Sequence, residues 1–149
     1  MSRRRLLLLV ALGASVFLVI SLLLARYLST ENRERDAVYA LLQAQARGDV
    51  DAMLARIHGC AADAGCRARV QRNARELRRS GTVKILAYHS DTAYALGSAR
   101  GLTRVAWTIV DHGLPVVQCV TVERTGSVLA GRGINLRRLS LPIDRQDTC

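Results

Sequence analysis

Leu6 to Ala25 reads LLLLVALGASVFLVISLLLA, twenty residues without a charge. A helix rises about 1.5 Å per residue, so this run reaches across roughly the 30 Å of a bilayer's hydrocarbon core. Beyond it the pattern turns amphipathic, with Val38, Leu41, Leu42 and Gln45 recurring at helical spacing. That helix either starts afresh at Ser29-Thr30, with Glu31 and Glu34 in its first turn, or runs unbroken out of the apolar segment. Gly48-Asp49 interrupts it, and Asp49 is placed to cap a short second helix burying Val50, Met53, Leu54 and Ile57. After Cys60–Cys66 a third helix is expected to about Arg79. Cys66, Val70, Ala74 and Leu77 share its core face, while Arg67, Arg72, Arg75, Arg78 and Arg79 lie opposite.

From Thr82 onward, short apolar runs alternate with turn signals, which predicts strands. These are Val83–Tyr88, Thr92–Leu96, Thr103–Val110, Val116–Arg124 and Val128–Leu139, with Gly131 and Gly133 expected to mark a bulge or strong curvature in the last. The fold class that follows is α+β: an N-terminal transmembrane helix, then two or three helices packed on a curved antiparallel sheet of about five strands. The chain divides into a cytoplasmic tail (1–5), an anchor (6–28), an extracytoplasmic domain (29–141) and a polar C-terminal tail (142–149).

A cleavable signal has a shorter apolar region and a small-x-small site before the cut. Here Leu23 stands where a small residue is needed, so the segment reads as an uncleaved anchor. No cysteine follows closely enough to accept a lipid. Ser2-Arg3-Arg4-Arg5-Leu6-Leu7 resembles a twin-arginine export signal but lacks its usual Phe and Lys. Arginines flank the span on both sides, Arg3 to Arg5 before it and Arg26, Arg33 and Arg35 after it, so charge counting alone only weakly favours an N-terminus inside. The four cysteines tip the orientation, because they suit an oxidising compartment.

About 120 residues remain outside the anchor, enough for one small core. The chain carries 22 basic and 12 acidic residues. All but one of the basic residues, Lys84, are arginines. That skew looks like the codon bias of a GC-rich bacterial genome, so arginine abundance does not by itself indicate nucleic acid, and no nucleic-acid partner is expected. The positive field instead suits anionic lipid head groups or other envelope components.

The run Ala37-Val-Tyr-Ala-Leu-Leu-Gln-Ala-Gln-Ala-Arg-Gly-Asp49-Val-Asp-Ala-Met-Leu54, followed by strands, resembles the nuclear-transport-factor-2-like superfamily of cone-shaped folds. The resemblance covers most of residues 33 to 140 and implies helices lining a curled sheet, whose interior holds a ligand or active site in enzymes such as ketosteroid isomerases. The catalytic tyrosine and acidic pair of those enzymes cannot be matched to residues here, so no catalytic residue is carried over. A cystatin-like or other helix-on-sheet fold is the alternative. An anchor, a short tail and one such domain also resemble the architecture of inner-membrane subunits of type IV secretion systems and of proteins associated with mammalian-cell-entry transport.

Four cysteines allow three pairings. The local one, Cys60 with Cys66, leaves Cys119 with Cys149, and loop-closure entropy assigns them about 2.4 and 3.7 kcal/mol. There is no C-x-x-C and no histidine pair at ligand spacing, so neither a metal nor a cofactor is expected. His58 follows a helix end, while His89 and His112 lie in turns or at edges beside Asp91 and Asp111; all three read as structural or solvated. Tyr88, Tyr94 and Trp107 are the residues a pocket would draw on. The arginine face of the third helix is the candidate contact for anionic head groups. The function these features favour is a membrane-anchored binding or scaffolding module contacting other envelope proteins, with a small-ligand or isomerase-like role in the cone as the alternative.

Overall fold

A computed structural model describes residues 3–92, 98–110, 112–127 and 131–149. Helix α1 runs unbroken from Arg3 to Arg47, 45 residues, so the apolar segment and the amphipathic stretch are one rod. Its first part, Arg3–Ala25, is long and apolar enough to cross a membrane. Its last part buries Val38, Leu41, Leu42, Ala44 and Gln45 against the rest of the chain. Gly48, at φ 73°, ends the rod. Helix α2 (Val50–Arg56) starts immediately, because Asp49 Oδ1 accepts the Ala52 N–H at 2.9 Å. It buries Met53 and turns back at Ile57. A single 3₁₀ turn, Cys60–Ala62, leads into α3 (Ala64–Glu76), capped by Asp63. Helix α3 buries Cys66, Val70, Asn73 and Ala74. It stops three residues short of the expected end, and the backbone N–H of Arg79 instead closes onto the Ala46 carbonyl at the end of α1.

Four strands follow, β1 (Val83–Ser90), β2 (Ala99–Ile109), β3 (His112–Ser127) and β4 (Gly131–Leu139), paired antiparallel in the order β1-β2-β3-β4. The sheet is an open, uncurled meander of four strands among the described residues, not a curved one of five. The expected strand Thr92–Leu96 lies outside the described residues except for Thr92, which stands in the turn after β1. Among the described residues β1 is the neighbour of β2, with Ser90 paired to Thr103. The start of β2, Ala99 to Gly101, overhangs β1 and pairs with β3, while the Leu102 carbonyl still accepts the Asp91 N–H just after β1.

The irregularity expected at Gly131 and Gly133 falls elsewhere. In β4 the register shifts between Leu136 and Arg138, leaving Arg137 as the extra residue. In β1 it shifts between Ile85 and Ala87, so Leu86 bulges outward and is 49% exposed. This second bulge has a consequence. Side chains alternate faces along a strand, so Val83 and Ile85 facing inward would ordinarily put Tyr88 outside. The extra residue reverses the parity and turns Tyr88 to the core side, opposite Val105.

The helices cover one face of the sheet, where Val105, Trp107, Ile109, Val120, Val122, Leu136 and Leu139 form the core. The C-terminal tail first continues alongside β3 and then crosses to the other face. Ile143 N–H bonds the Val117 carbonyl at 2.9 Å, and Arg104 Nε bonds the Asp147 carbonyl at 3.0 Å. Each cysteine is paired, Cys60 with Cys66 and Cys119 with Cys149, at Cα–Cα separations of 5.2 and 5.7 Å. The second bond pins the tail across β3, and Val117 beneath it is 3% exposed. Replacing Cys119 and Cys149 together by serine is expected to lower unfolding stability by about 3–4 kcal/mol and to open residues 142–149 to protease. Thermal melts and limited proteolysis of the oxidised protein check this; an unchanged melt would show that the tail's docking does not depend on the bond.

Candidate functional site

The most concentrated chemistry in the described structure surrounds Glu34. This residue lies four positions before Val38 and eleven before Gln45, on the stripe of α1 that faces the sheet, and is fully buried. Opposite it, the inward positions of β3 run Val116, Gln118, Val120, Val122 and Arg124, so an arginine occupies the last core-facing place of that strand. Arg124 is 1% exposed and donates to Glu34 Oε2 through Nε at 2.8 Å and Nη2 at 2.6 Å. Tyr88 and Thr103 donate their hydroxyls to Oε1, each at 2.8 Å, and Thr92 donates to Oε2 at 3.0 Å. Thr92 is held in turn by the Ser90 hydroxyl at 2.9 Å. Gly101 makes room for it, because a Cβ there would stand 2.7 Å from Thr92 Cγ2.

An isolated buried carboxylate would be protonated or very costly; this one is kept charged by what surrounds it. Burial pushes the Glu34 carboxyl up, but the polar groups gathered around it, the Ser90, Tyr88 and Thr103 hydroxyls and the Arg124 guanidinium, outweigh it and the net shift is downward. The same field acts oppositely on Tyr88, whose phenol is pushed up by burial and then by the Glu34 charge, so it stays protonated and donating. Five donated bonds use the accepting capacity of Glu34, and no solvent reaches it. The cluster is built to hold α1 to the sheet, with no free lone pair left for proton transfer.

About 16 Å further along α1 a second polar group is buried, at Gln45. Gln118 Oε1 accepts from both Gln45 Nε2 and Trp107 Nε1 at 2.9 Å, and Gln118 Nε2 donates to the Ser140 carbonyl at 3.0 Å. Asn73 of α3 donates to the same carbonyl at 2.9 Å, while its Oδ1 is buried without a partner. The two clusters fasten both ends of the buried part of α1.

The residues singled out from the sequence are thereby dispersed. Tyr88 and Trp107 both face the core, but they serve the Glu34 and Gln118 clusters respectively; Tyr94 lies outside the described residues. Arg67, Arg72 and Arg75 are exposed on α3, where Arg72 pairs with Glu76 at 2.8 Å. Arg78 and Arg79 lie beyond the end of that helix, and Arg79 Nη1 donates to the Leu114 carbonyl at 3.1 Å. His58 lines a surface groove of about 290 Å³ with Ala37, Ala40, Ala55 and Ile134, and His89 is exposed on the edge strand β1. Among the described residues no three His, Cys, Asp or Glu side chains gather closely enough to hold a metal ion. On the outer face of the sheet, Arg100 and Arg137 converge on Glu123 and hold its carboxyl below the usual range. Comparison with known proteins found no matching family model, no matching curated protein and no matching solved structure.

The sequence pattern did not single out Glu34, which suited the first turn of a helix, or Arg124, which closed the expected fourth strand. The available signal was the stripe itself: extending it backwards by one turn from Val38 lands on Glu34, and extending the β3 alternation lands on Arg124.

Removing either charge strands the other. Glu34→Gln and Arg124→Met are each expected to cost about 3–5 kcal/mol, whereas Glu34→Leu combined with Arg124→Met recovers most of it. The pH dependence has a definite sign. Because the folded-state value of Glu34 lies below its ordinary 4.5, the stability it contributes is present above that value and is lost as pH falls through the folded one. Melts followed by Trp107 fluorescence should show an acid limb below about pH 4.5 that Glu34→Gln reduces, leaving the smaller shares of Asp63 and Glu123, both also depressed but nearer the surface. An acid limb unchanged in Glu34→Gln would refute the assignment.

Proposed function

We propose that the protein is a membrane-anchored, extracytoplasmic binding and scaffolding module that presents a disulfide-braced domain to other proteins of the cell envelope. The carrying observation is that one helix is both the apolar span and the central core helix of the domain, clamped at Glu34 and Gln45. Glu34 follows Ala25 by nine residues, about 13 Å of helix, so there is little slack between span and domain. A linker of that kind holds every surface of the domain at a set height above the bilayer. That suits a part whose task is to position contacts. Two disulfides favour the domain on the oxidising side and the arginine-led N-terminus inside.

The alternative, a ligand or reaction site within a cone, draws support from the superfamily resemblance alone. Tyr88 and Trp107, the side chains such a site would use, are occupied in the packed interior. Head-group contact fits Arg33 and Arg35, which are exposed about 12 and 15 Å of helix beyond Ala25, better than the far end of α3.

The reading is tested in native membranes. Cysteine introduced at Asp51 should react with an impermeant maleimide in intact cells, and cysteine introduced at Ser2 only after lysis; the reverse pattern overturns the orientation. Photo-crosslinkers on exposed domain positions should yield discrete protein adducts that vanish in Glu34→Ala. Adducts to lipid alone would sink the scaffolding role.

A further inference from the structure

At the end of the domain where α1 and α3 finish, Arg47, Arg78 and Arg79 line a groove of about 340 Å³ floored by Ala46 and Gly81. Neither Arg47 nor Arg78 has an ion pair among the described residues, and both are exposed. Asp49, two residues from Arg47, caps α2, and Glu76, two residues from Arg78, pairs with Arg72. Arg79 leans over the β2–β3 turn and bonds the Leu114 carbonyl. That contact brings the groove beside two apolar side chains in water, Leu114 at 73% exposure and Val110 at 44%. Val110 is tied to the residue that follows the groove's Gly81, its N–H bonding the Thr82 carbonyl at 3.0 Å.

Height decides what can reach this surface. Arg79 N–H bonds the carbonyl of Ala46, which stands 21 helical residues beyond Ala25, about 32 Å along the rod. Head groups of the membrane that holds the span end within about 8 Å of its hydrocarbon core, so they cannot touch these arginines. Composition decides the rest. Anionic polymers call for cations alone, whereas arginine beside exposed apolar surface suits a protein interface, whose core is apolar and in which arginine is enriched.

We propose that this far end docks an acidic segment of a partner protein that also carries aliphatic side chains, its carboxylates taken by Arg47 and Arg78 and its apolar groups laid on Leu114 and Val110. The proposal deepens the scaffolding reading by naming the surface and the chemistry of the partner, and rests on it for the biological setting only. Arg78 crosses Gly48 at the end of α1, where a Cβ would stand 3.1 Å from its Cδ, so its stem is guided across the helix end. Guanidinium groups held this way pair with carboxylates through paired N–H donors.

The test uses the full chain in nanodiscs of phosphatidylcholine, where both faces are open to solvent and the result is independent of membrane orientation. The probe is a short fluorescein-labelled peptide alternating glutamate and leucine, followed by anisotropy. Arg47→Glu with Arg78→Glu should weaken binding about tenfold or more, and Leu114→Ser about threefold, while Arg67→Glu at the other end of α3 changes little. A peptide with serine in place of leucine should bind less tightly to the native chain. Equal loss in Arg67→Glu, or equal binding of the serine peptide, would reduce the surface to general positive charge and overturn the proposal. So would native binding no tighter than that of the double reversal. Unchanged Trp107 fluorescence in each variant confirms that folding is intact.

Discussion

A carboxylate sealed inside a small domain needs a cation sealed in with it, and the rest of this structure is arranged around meeting that need for Glu34. Arg124 supplies the charge from the sheet, and three hydroxyls supply the remaining bonds. Because one partner sits on the helix and the others on β1, β2, β3 and the turn after β1, the cluster can form only when all of these are assembled. An apolar contact at the same place would tolerate rotation or sliding of α1. A charge-assisted network in a low-dielectric interior has one geometry, and errors there are expensive.

That constraint explains features which look unrelated. The bulge at Leu86 leaves an apolar side chain in solvent, yet it is what turns Tyr88 inward to reach the carboxylate. Gly101 gives up a side chain on β2 so that Thr92 can close over the cluster. At the other end of the buried rod, Gln45, Gln118 and Trp107 share hydrogen bonds, and Gln118 passes them to Ser140, just after β4. The Cys119–Cys149 bond then secures that tail from the opposite face. Core helix, sheet and tail are thus bound together through polar contacts that a small apolar core would not specify by itself.

The functional meaning lies in continuity. A domain joined to its span by a flexible linker samples many heights and orientations; one built on the same helix samples few. Surfaces at different distances along α1 therefore face different surroundings. With Arg3–Ala25 across a bilayer, Arg33 and Arg35 would lie near the head groups, and the arginines of the groove beside Leu114 would lie beyond their reach. Charge alone does not distinguish these groups, whereas their position along the rod does.

Much was legible without coordinates because it depends on local rules. The apolar run, the α1 stripe from Val38 to Gln45, the Asp49 cap and four of the strands follow from periodicity and from which residues satisfy helix ends. The arginine face was legible in part: the pattern put Arg78 and Arg79 on α3, but the helix ends at Glu76 and the Arg79 N–H bonds Ala46 instead. Strand count and curvature were not legible, because they depend on which strand lies beside which, and Ser90 pairs with Thr103 across a connection whose length alone does not say so. Glu34 and Arg124 are ninety residues apart, and each alone reads as a solvated charge. By itself the sequence determined the membrane-length apolar helix, the α+β class and the positions of the caps, since these are set by neighbours within a few residues. Only the tertiary structure decided that the span and the core are one helix and that a buried ion pair locks it, since burial is a property of what the chain brings together from afar.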